Sequence, residues 1–294
     1  FTKATATGDS YLDAAVVNTG TIDVQSGSVS VGGGGSSSAI VNVASGSTFN
    51  LANGTFAFTT GSTITGAGTV QVSGGTTNFS GNNTGSAKFS LTGGIATFSG
   101  TTATSGGGTI SSGTLNGTGT LTLGGLLGIS GGDLNGTGTI IANGGANLTN
   151  TFTLRAGQIL TLAGTSTWSA GNIHEGTGSI LNNTGTLTAT GNNSFAYNQG
   201  GTKLTFNNSG TFTKSTATGD SYLDAAVVNT GTLDVQSGSV SIGGGGSSAG
   251  VVNVATGSTF NLANGTFAFT TGSTITGAGT VQVSGGTTNF SGNN

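Results

Sequence analysis

Asn18–Val31 reads NTGTIDVQSGSVSV, and this stretch decides the predicted fold. Apolar and polar residues alternate in the triplets at 22–24 (Ile-Asp-Val) and 29–31 (Val-Ser-Val). Successive side chains of a strand point to opposite faces, so each triplet would bury its outer residues and expose its middle one. The Ser-Gly pair between the triplets suits a tight corner, because glycine tolerates positive φ. The stretch therefore predicts short, half-buried strands joined by corners.

The same pattern continues along the chain. Further triplets of this kind are Val41–Val43, Phe49–Leu51, Phe56–Phe58, Val70–Val72 and Leu121–Leu123. Pairs such as Asn-Gly, Gly-Gly and Thr-Gly separate them, and 60 of the 294 residues are glycine. Glycine in such numbers breaks helices. We therefore expect an all-β chain with no helices of note.

Two length scales of repetition organise the sequence. The segment 1–83 recurs as 212–294, and the two copies differ only at Ala4/Ser215, Ile22/Leu233, Val31/Ile242, Ser38/Ala249, Ala39/Gly250, Ile40/Val251 and Ser45/Thr256. The predicted division is one complete unit, 1–211, followed without a linker by the start of the next unit, 212–294. Because 1–83 is the first part of the unit that recurs, we expect the chain to be a window from a longer tandem array.

A finer period lies inside the large repeat. Leu115–Leu121 returns as Leu134–Ile140, and Gly74–Gly81 is echoed by Gly93–Gly100, both at an offset of 19. Other spacings are longer, as between Asn183–Leu187 and its relative Asn208–Phe212. These spacings match one coil of a β-solenoid, whose turns bury their apolar faces by stacking on their neighbours. The sequence predicts a parallel β-helix (β-solenoid) with about 19–25 residues per coil and about 14 coils.

Polar residues are expected to stack as well. In a parallel coil each residue lies about 4.8 Å from its equivalent in the next turn, so like residues form ladders. The asparagines that precede Thr-Gly or Gly-Thr are predicted to form such ladders. Charges stacked at this spacing would repel one another, which agrees with a chain that has only 5 basic and 8 acidic residues.

Composition excludes several classes of protein and partner. A chain with 4% charged residues cannot assemble the basic surface that nucleic acid requires. The longest apolar run is only four positions long, so we expect no membrane insertion in this segment. There is no cysteine and therefore no disulfide framework. Mean hydropathy is +0.12 with 33% hydrophobic residues, which argues against disorder.

The repeats resemble the Gly/Thr/Asn-rich β-strand regions of large bacterial surface proteins, including autotransporter passengers and filamentous-haemagglutinin-like adhesins. The pattern that carries the resemblance is Asn-Thr-Gly-Thr-Ile/Leu-Asp-Val, at Asn18–Val24 and Asn229–Val235, with relatives at Asn182–Leu187 and Asn207–Phe212. The resemblance implies a right-handed parallel β-helix, secretion, and a role as stalk, adhesin or matrix fibre. It supplies no catalytic or binding residue.

The densest acidic cluster is a candidate ligand site. It consists of Asp9, Tyr11 and Asp13 in Gly8–Asp13, and it recurs as Asp220, Tyr222 and Asp224. Such a loop can bind calcium or contact a glycan. The alternative is a solvated corner whose aspartates cap turn amides, and composition favours this alternative. No repeated calcium-binding motif and no phosphate-binding loop occur, so we expect no metal and no cofactor.

The best enzyme-like group contains the only histidine, His174, with its neighbour Glu175. The only arginine, Arg155, precedes His174 at an offset of 19, which would place the two one above the other on adjacent coils. The only tryptophan, Trp168, lies six positions before His174. A lone histidine without a second positioned carboxylate or a metal set is weak evidence for catalysis. We expect that the chain is not an enzyme.

The sequence therefore suggests an extracellular structural β-solenoid that forms a stalk, fibre or sheath at the bacterial surface. Its expected partners are neighbouring repeat units or copies of itself, joined head to tail or laterally. The first alternative is an adhesin whose solenoid face binds glycans or matrix. Ice binding by Thr-x-Thr arrays and polysaccharide degradation are weaker alternatives, since variable coil lengths would interrupt threonine ranks.

Overall fold

The computed structural model describes residues 1–81 and 83–291. It is an all-β parallel solenoid of about 14 turns, with three short strands in each regular turn. The described residues include no helix, and hence no helix that could cross a membrane. By contact density the chain divides into two units, Phe1–Gly144 and Gly145–Asn294. The predicted fold class is confirmed.

The strands of the first unit are β1 (Thr2–Lys3), β2 (Asp9–Leu12), β3 (Val16–Asn18), β4 (Thr21–Val24), β5 (Ser28–Val31), β6 (Gly35–Ser37), β7 (Ile40–Val43), β8 (Thr48–Leu51), β9 (Thr55–Phe58), β10 (Thr63–Thr65), β11 (Thr69–Val72), β12 (Thr76–Phe79), β13 (Asn83–Gly85), β14 (Lys88–Leu91), β15 (Ile95–Phe98), β16 (Thr101–Thr104), β17 (Gly108–Ile110), β18 (Thr114–Gly117), β19 (Thr120–Leu123), β20 (Leu127–Ile129), β21 (Asp133–Asn135) and β22 (Thr139–Ala142).

The strands of the second unit are β23 (Ala146–Leu148), β24 (Phe152–Arg155), β25 (Ile159–Leu162), β26 (Thr165–Trp168), β27 (Ile173–Glu175), β28 (Ile180–Asn183), β29 (Thr186–Ala189), β30 (Phe195–Tyr197), β31 (Thr205–Asn208), β32 (Thr211–Lys214), β33 (Asp220–Leu223), β34 (Ala226–Asn229), β35 (Thr232–Val235), β36 (Ser239–Ile242), β37 (Gly246–Ser248), β38 (Val251–Val254), β39 (Thr259–Leu262), β40 (Thr266–Phe269), β41 (Thr274–Thr276), β42 (Thr280–Val283) and β43 (Thr287–Phe290).

Within each unit, strands pair with the strand three places further along the chain. In the first unit one sheet has the order β2-β5-β8-β11-β14-β17-β20, and a second has the order β3-β6-β9-β12-β15-β18-β21. In the second unit one of the three series is β25-β28-β31-β34-β37-β40-β43. The pairings are parallel, for example Thr69↔Lys88 between β11 and β14. Three strands per turn therefore build three sheet faces around the core of each unit.

The register gives the length of each coil directly. Asp9 pairs with Ser28, an offset of 19, and Ile180 pairs with Thr205, an offset of 25. These values span the range that the sequence predicts. One coil is longer, because Phe195 pairs with Leu223 at an offset of 28. The repeat boundary at 211/212 lies inside the strand Thr211–Lys214.

The core forms as the alternation predicts. Ile22 and Val24 are buried on either side of the half-buried Asp23, and the same pattern holds in the other triplets named above, except that Ser30 is also covered. The largest side chains stack along the coil axis: the Phe79 ring lies parallel to the rings of Phe58, at 5.0 Å, and Phe98, at 4.5 Å. Burial of these aromatic rings contributes heavily to the stability of the core.

Corner glycines are required where one coil approaches the next. Gly35 has φ +127°, and a Cβ there would lie 2.0 Å from the Val16 carbonyl oxygen. Its equivalent in the second copy, Gly246, has φ +130° and the same close approach to the Val227 carbonyl oxygen, at 1.9 Å. No residue with a side chain fits this geometry. The two copies therefore share a corner that only glycine can form.

Candidate functional surfaces

Buried asparagines form the predicted ladder. Asn183, Asn208 and Asn229 occupy register-paired positions at the ends of β28, β31 and β34. The Asn183 amide donates to Asn208 Oδ1 at 2.7 Å, and Asn208 donates to Asn229 Oδ1 at 2.8 Å. Each amide also donates across the corner, Asn208 to the Thr232 carbonyl oxygen at 2.8 Å. These side chains connect successive coils and are part of the scaffold.

The candidate acidic site lies on a strand, where the sequence analysis placed a loop or corner. Asp9 and Tyr11 belong to β2 and project outward. The Asp9 carboxylate accepts hydrogen bonds from the hydroxyls of Ser28, at 2.8 Å, and Ser30, at 3.0 Å. These donors belong to the next coil, so the expected capping of turn amides is wrong for Asp9. Stacking of parallel strands brings the serines to the carboxylate, which no local turn could do.

The second copy of this site has the same bonds. Asp220 lies on β33 and accepts hydrogen bonds from Ser239, at 2.7 Å, and Ser241, at 2.9 Å. The agreement shows that the arrangement follows from the repeated sequence. In both copies the first aspartate is occupied by hydroxyl donors of the neighbouring coil.

The tyrosines of the two copies cover glycines of the next coil. A Cβ at Gly32 would lie 2.2 Å from the Tyr11 hydroxyl oxygen, and one at Gly243 would lie 2.4 Å from that of Tyr222. Tyr11 lies on the first strand of its sheet and is 56% exposed, whereas Tyr222, with a strand on each side, is half-buried. The tyrosine therefore lies on the outer face of the sheet in both copies and is partly covered where coils continue on both sides.

The third aspartate of the second copy forms an ion pair. The Lys203 ammonium pairs with the Asp224 carboxylate at 2.5 Å and lies 5.5 Å from the centre of the Tyr197 ring. Asp13, the third aspartate of the first copy, is exposed. The Asp224 carboxylate is therefore engaged with a neighbouring cation.

The enzyme-like group does not assemble as the spacing predicted. The register partner of His174 is Thr153, so β24 and β27 pair at an offset of 21. Arg155 lies two positions further along β24, and the expected stacking of Arg155 on His174 is wrong. Trp168 is fully buried, and its indole N–H donates to the Gly171 carbonyl oxygen at 3.1 Å.

Glu175 is a buried carboxyl that the sequence analysis noted only as the neighbour of His174. It is 0% exposed, and its Oε2 accepts a hydrogen bond from the Leu204 backbone N–H at 2.5 Å, while Oε1 has no partner among the described residues. Burial raises the pKa of Glu175 to about 7, against the Leu204 hydrogen bond, which lowers it. The alternation in Ile173–Glu175 was the available signal, since it places the glutamate on the inward face.

Lys214 is a second buried charge that sequence reasoning missed. Its ammonium donates to the carbonyl oxygens of Gly191, at 2.9 Å, and Ala217, at 2.7 Å, and to Asn192 Oδ1 at 3.1 Å. Burial lowers the pKa of Lys214. The lysine connects the corner after β32 to the corner after β29 on the preceding coil, a structural use of its charge. Its inward position in Thr211–Lys214 was the signal.

A concavity of the first unit lies on the outer surface of β11, β14, β17 and β20. It has a volume of about 600 Å³. Lys88 and Leu126 border it, and Gly107 and Gly128 line it where neighbouring strands carry side chains. Ser90 and Thr109 also line it, and their hydroxyl oxygens are 3.0 Å apart. No local motif indicates this surface, because the surface depends on which coils stack together.

Threonines form two short ranks on one sheet of the second unit. One rank contains Thr165, Thr186, Thr211 and Thr232, and the other contains Thr167, Thr188 and Thr213. Asp234 ends the second rank, and Val251 follows Thr232 in the first. The ranks are thus interrupted, as expected from the sequence.

No group of three or more histidine, cysteine or acidic side chains that could hold a metal ion occurs in 1–81 and 83–291. Comparison with known proteins found no matching family model, no matching curated protein and no matching solved structure. What the chain does must therefore be argued from its own fold and surfaces.

Proposed function

We propose that the chain is an extracellular structural protein, a β-solenoid that forms a stalk, fibre or sheath at the bacterial surface. The observation that carries the proposal is the double set of bonds between successive coils. Backbone bonds join the inner strands of each sheet to the turns before and after them, and polar side chains such as Asn208 and Asp9 add ladders to these bonds. Such a chain resists local unfolding, since its inner coils are bonded on both sides.

The repetition also suits a structural role. The segments 1–83 and 212–294 form the same ladders, as Asp23 with Asn42 at 2.7 Å and Asp234 with Asn253 at 2.7 Å illustrate. A surface that recurs at fixed intervals can contact equivalent surfaces on other copies, so neighbouring repeat units or further copies of the chain are the proposed partners. We propose no catalytic activity, no cofactor, no nucleic acid partner and no membrane insertion by this segment.

The proposal is tested by locating and imaging the protein. Antibodies raised against the segment 1–211 should label the outside of intact cells, and cryo-electron microscopy of the purified protein should show filaments with an axial repeat of about 4.8 Å. Labelling only after the cells are permeabilised would contradict the extracellular role. Dispersed particles that never associate would contradict the fibre.

A second candidate function is adhesion to glycans or matrix, favoured by the outward-facing tyrosines Tyr11 and Tyr222, of which Tyr222 is half-buried between two coils. An aromatic ring on the outer face of a sheet is a suitable platform for the apolar face of a sugar, and the exposed carboxylate of Asp13 can accept hydrogen bonds from hydroxyls. A glycan array probed with the parent and with the Tyr11→Ala/Tyr222→Ala double variant tests this. Binding that is absent, or unchanged in the double variant, would refute the tyrosine site.

A further inference from the structure

A gap in two outward rows of side chains creates the concavity on β11, β14, β17 and β20. In the first row, Thr69 and Lys88 are register partners, and Gly107 and Leu126 continue the row on the next two coils. In the second row, Thr109 pairs with Ser90 on one side and with Gly128 on the other. Gly128 therefore leaves the surface bare where a side chain would otherwise fill it. At Gly107 the next coil approaches closely, since a Cβ there would lie 2.2 Å from the Leu126 carbonyl oxygen.

The polar groups around this gap are available to a ligand. Lys3 and Lys203 bond to Ser10 and Asp224, and Lys214 is enclosed by carbonyl oxygens. The Lys88 ammonium, by contrast, has no hydrogen bond or ion pair with the described residues, and its side chain is exposed. A cation without a partner at the edge of this concavity is suited to a ligand that carries a negative charge.

The remaining lining specifies more than charge. The Ser90 and Thr109 hydroxyls can both donate and accept hydrogen bonds, which matches the hydroxyl groups of a sugar. Leu126, 47% exposed, offers an apolar side chain to the C–H face of a pyranose ring, and Gly128 leaves room in the same concavity. A volume of about 600 Å³ lies within the usual range of ligand sites, roughly 300–1,000 Å³.

We infer that this concavity binds an acidic oligosaccharide, with a sugar carboxylate on the Lys88 ammonium and sugar hydroxyls on Ser90 and Thr109. The inference does not rest on the structural role proposed above. Sugar binding is measured on the dispersed chain and fibre formation by imaging. Each result therefore stands by itself, whether or not the other proposal holds.

The test uses the full chain and isothermal titration calorimetry with tetragalacturonate, a linear acidic tetrasaccharide, and with its neutral methyl ester. We expect the acid to bind and the ester to bind at least about tenfold more weakly, since a charge-assisted hydrogen bond is lost. The affinity for the acid should fall as salt rises, because the pair is exposed. Absence of binding, or equal affinity for acid and ester, would overturn the inference.

Two variants locate the site. Lys88→Gln removes the ammonium and should weaken binding of the acid about tenfold. Gly128→Val places a side chain in the concavity. A Cβ at this position would make only ordinary contacts, at 3.7 Å to Thr109 Cγ2, and the backbone does not have a positive φ that a side chain would strain. The coil should therefore still form. We expect this variant to lose binding of the acid.

The matched control is Gly20→Val, since a Cβ at Gly20 meets nothing within 4 Å and the position lies outside the concavity. It should bind as the parent does. Circular dichroism confirms that each variant is folded, and if Gly128→Val is not, Lys88→Gln still decides. Folded Gly128→Val protein with undiminished affinity would overturn the assignment.

Discussion

The side-chain amide of Asn208 donates a hydrogen bond to Asn229 Oδ1 at 2.8 Å, although the two residues are 21 positions apart in sequence. Both side chains are buried, at 0% and 1% exposure, so the bond is shielded from water. The stacking of successive coils is the sole reason that these amides meet. Their bond is therefore a direct measure of whether the solenoid has the register described above.

Replacing Asn208 by alanine should destabilise the protein by about 2–4 kcal/mol, because it removes two donated bonds and leaves buried polar groups unpaired. The control is Asn207→Ala on the same strand, whose side chain is half-buried and bonds to Asn182 on the outer surface. It should cost less than about 1 kcal/mol. Urea unfolding followed by circular dichroism measures both. Equal losses would contradict the buried ladder.

The stacked phenylalanines can be compared with an outward residue on the neighbouring coil. Phe79 is 1% exposed between Phe58 and Phe98, whereas Ile95, on the outer face of the strand that carries Phe98, is 38% exposed. Phe79→Ala should cost about 3–5 kcal/mol, and Ile95→Ala less than about 1 kcal/mol. Thermal unfolding of the two variants checks the difference. Similar melting temperatures would show that the Phe79 ring is not packed as described.

Glu175 should make stability depend on pH. Its pKa is raised from 4.5 to about 7, so protonation stabilises the folded chain: the contribution is complete below about pH 4.5 and is lost as pH rises through about 7. The size of the effect is at most on the order of 3 kcal/mol. Glu175→Gln keeps an oxygen acceptor for the Leu204 N–H and should remove this dependence.

The measurement is the free energy of unfolding of parent and Glu175→Gln between pH 4 and 9. The variant should gain on the parent as pH rises from about 4.5 to about 7, and the gain should stay constant at higher pH. A constant difference across the whole range of the measurement would show that the carboxyl does not titrate in the folded chain. Asp224→Asn serves as the control for the nearby ion pair, since it removes that carboxylate, keeps Glu175 and should retain most of the pH dependence.

Lys214 and Lys88 are strand lysines with opposite surroundings. Lys214 is buried and donates three hydrogen bonds to enclosing oxygens, whereas Lys88 is exposed and its ammonium bonds to none of the described residues. We expect Lys214→Ala to cost about 2–4 kcal/mol, because three acceptors lose their donor. Lys88→Ala should cost less than about 1 kcal/mol. Chemical denaturation separates the two, and an equal loss would refute the contacts at Lys214.

Much of the scaffold could be predicted from local pattern. The alternation in Ile22–Val24 identified which residues are buried, and the offset of 19 between Leu115 and Leu134 matches their pairing. The asparagine ladder followed because parallel stacking places equivalent residues together. These features depend on periods of two and of about twenty, both of which are visible in the sequence.

The surfaces could not be predicted in the same way. Arg155 and His174 lie at an offset of 19, yet their strands pair at an offset of 21, so a spacing that holds elsewhere misplaced the pair. Asp9 was expected in a corner and lies in a strand, bonded to serines of the next coil. Coil length varies with the corners, and a change of two positions moves a side chain along its strand.

The sequence by itself determined the class of fold, the parallel stacking and the identity of the buried residues, because each depends on short-range alternation and on repetition. Only the tertiary structure decided which side chains meet across coils: Lys203 with Asp224, Glu175 with Leu204, and Lys88 with the bare glycine surface. The physical reason is that these contacts depend on the register between turns. The lengths of the corners together set this register, and no single motif determines it.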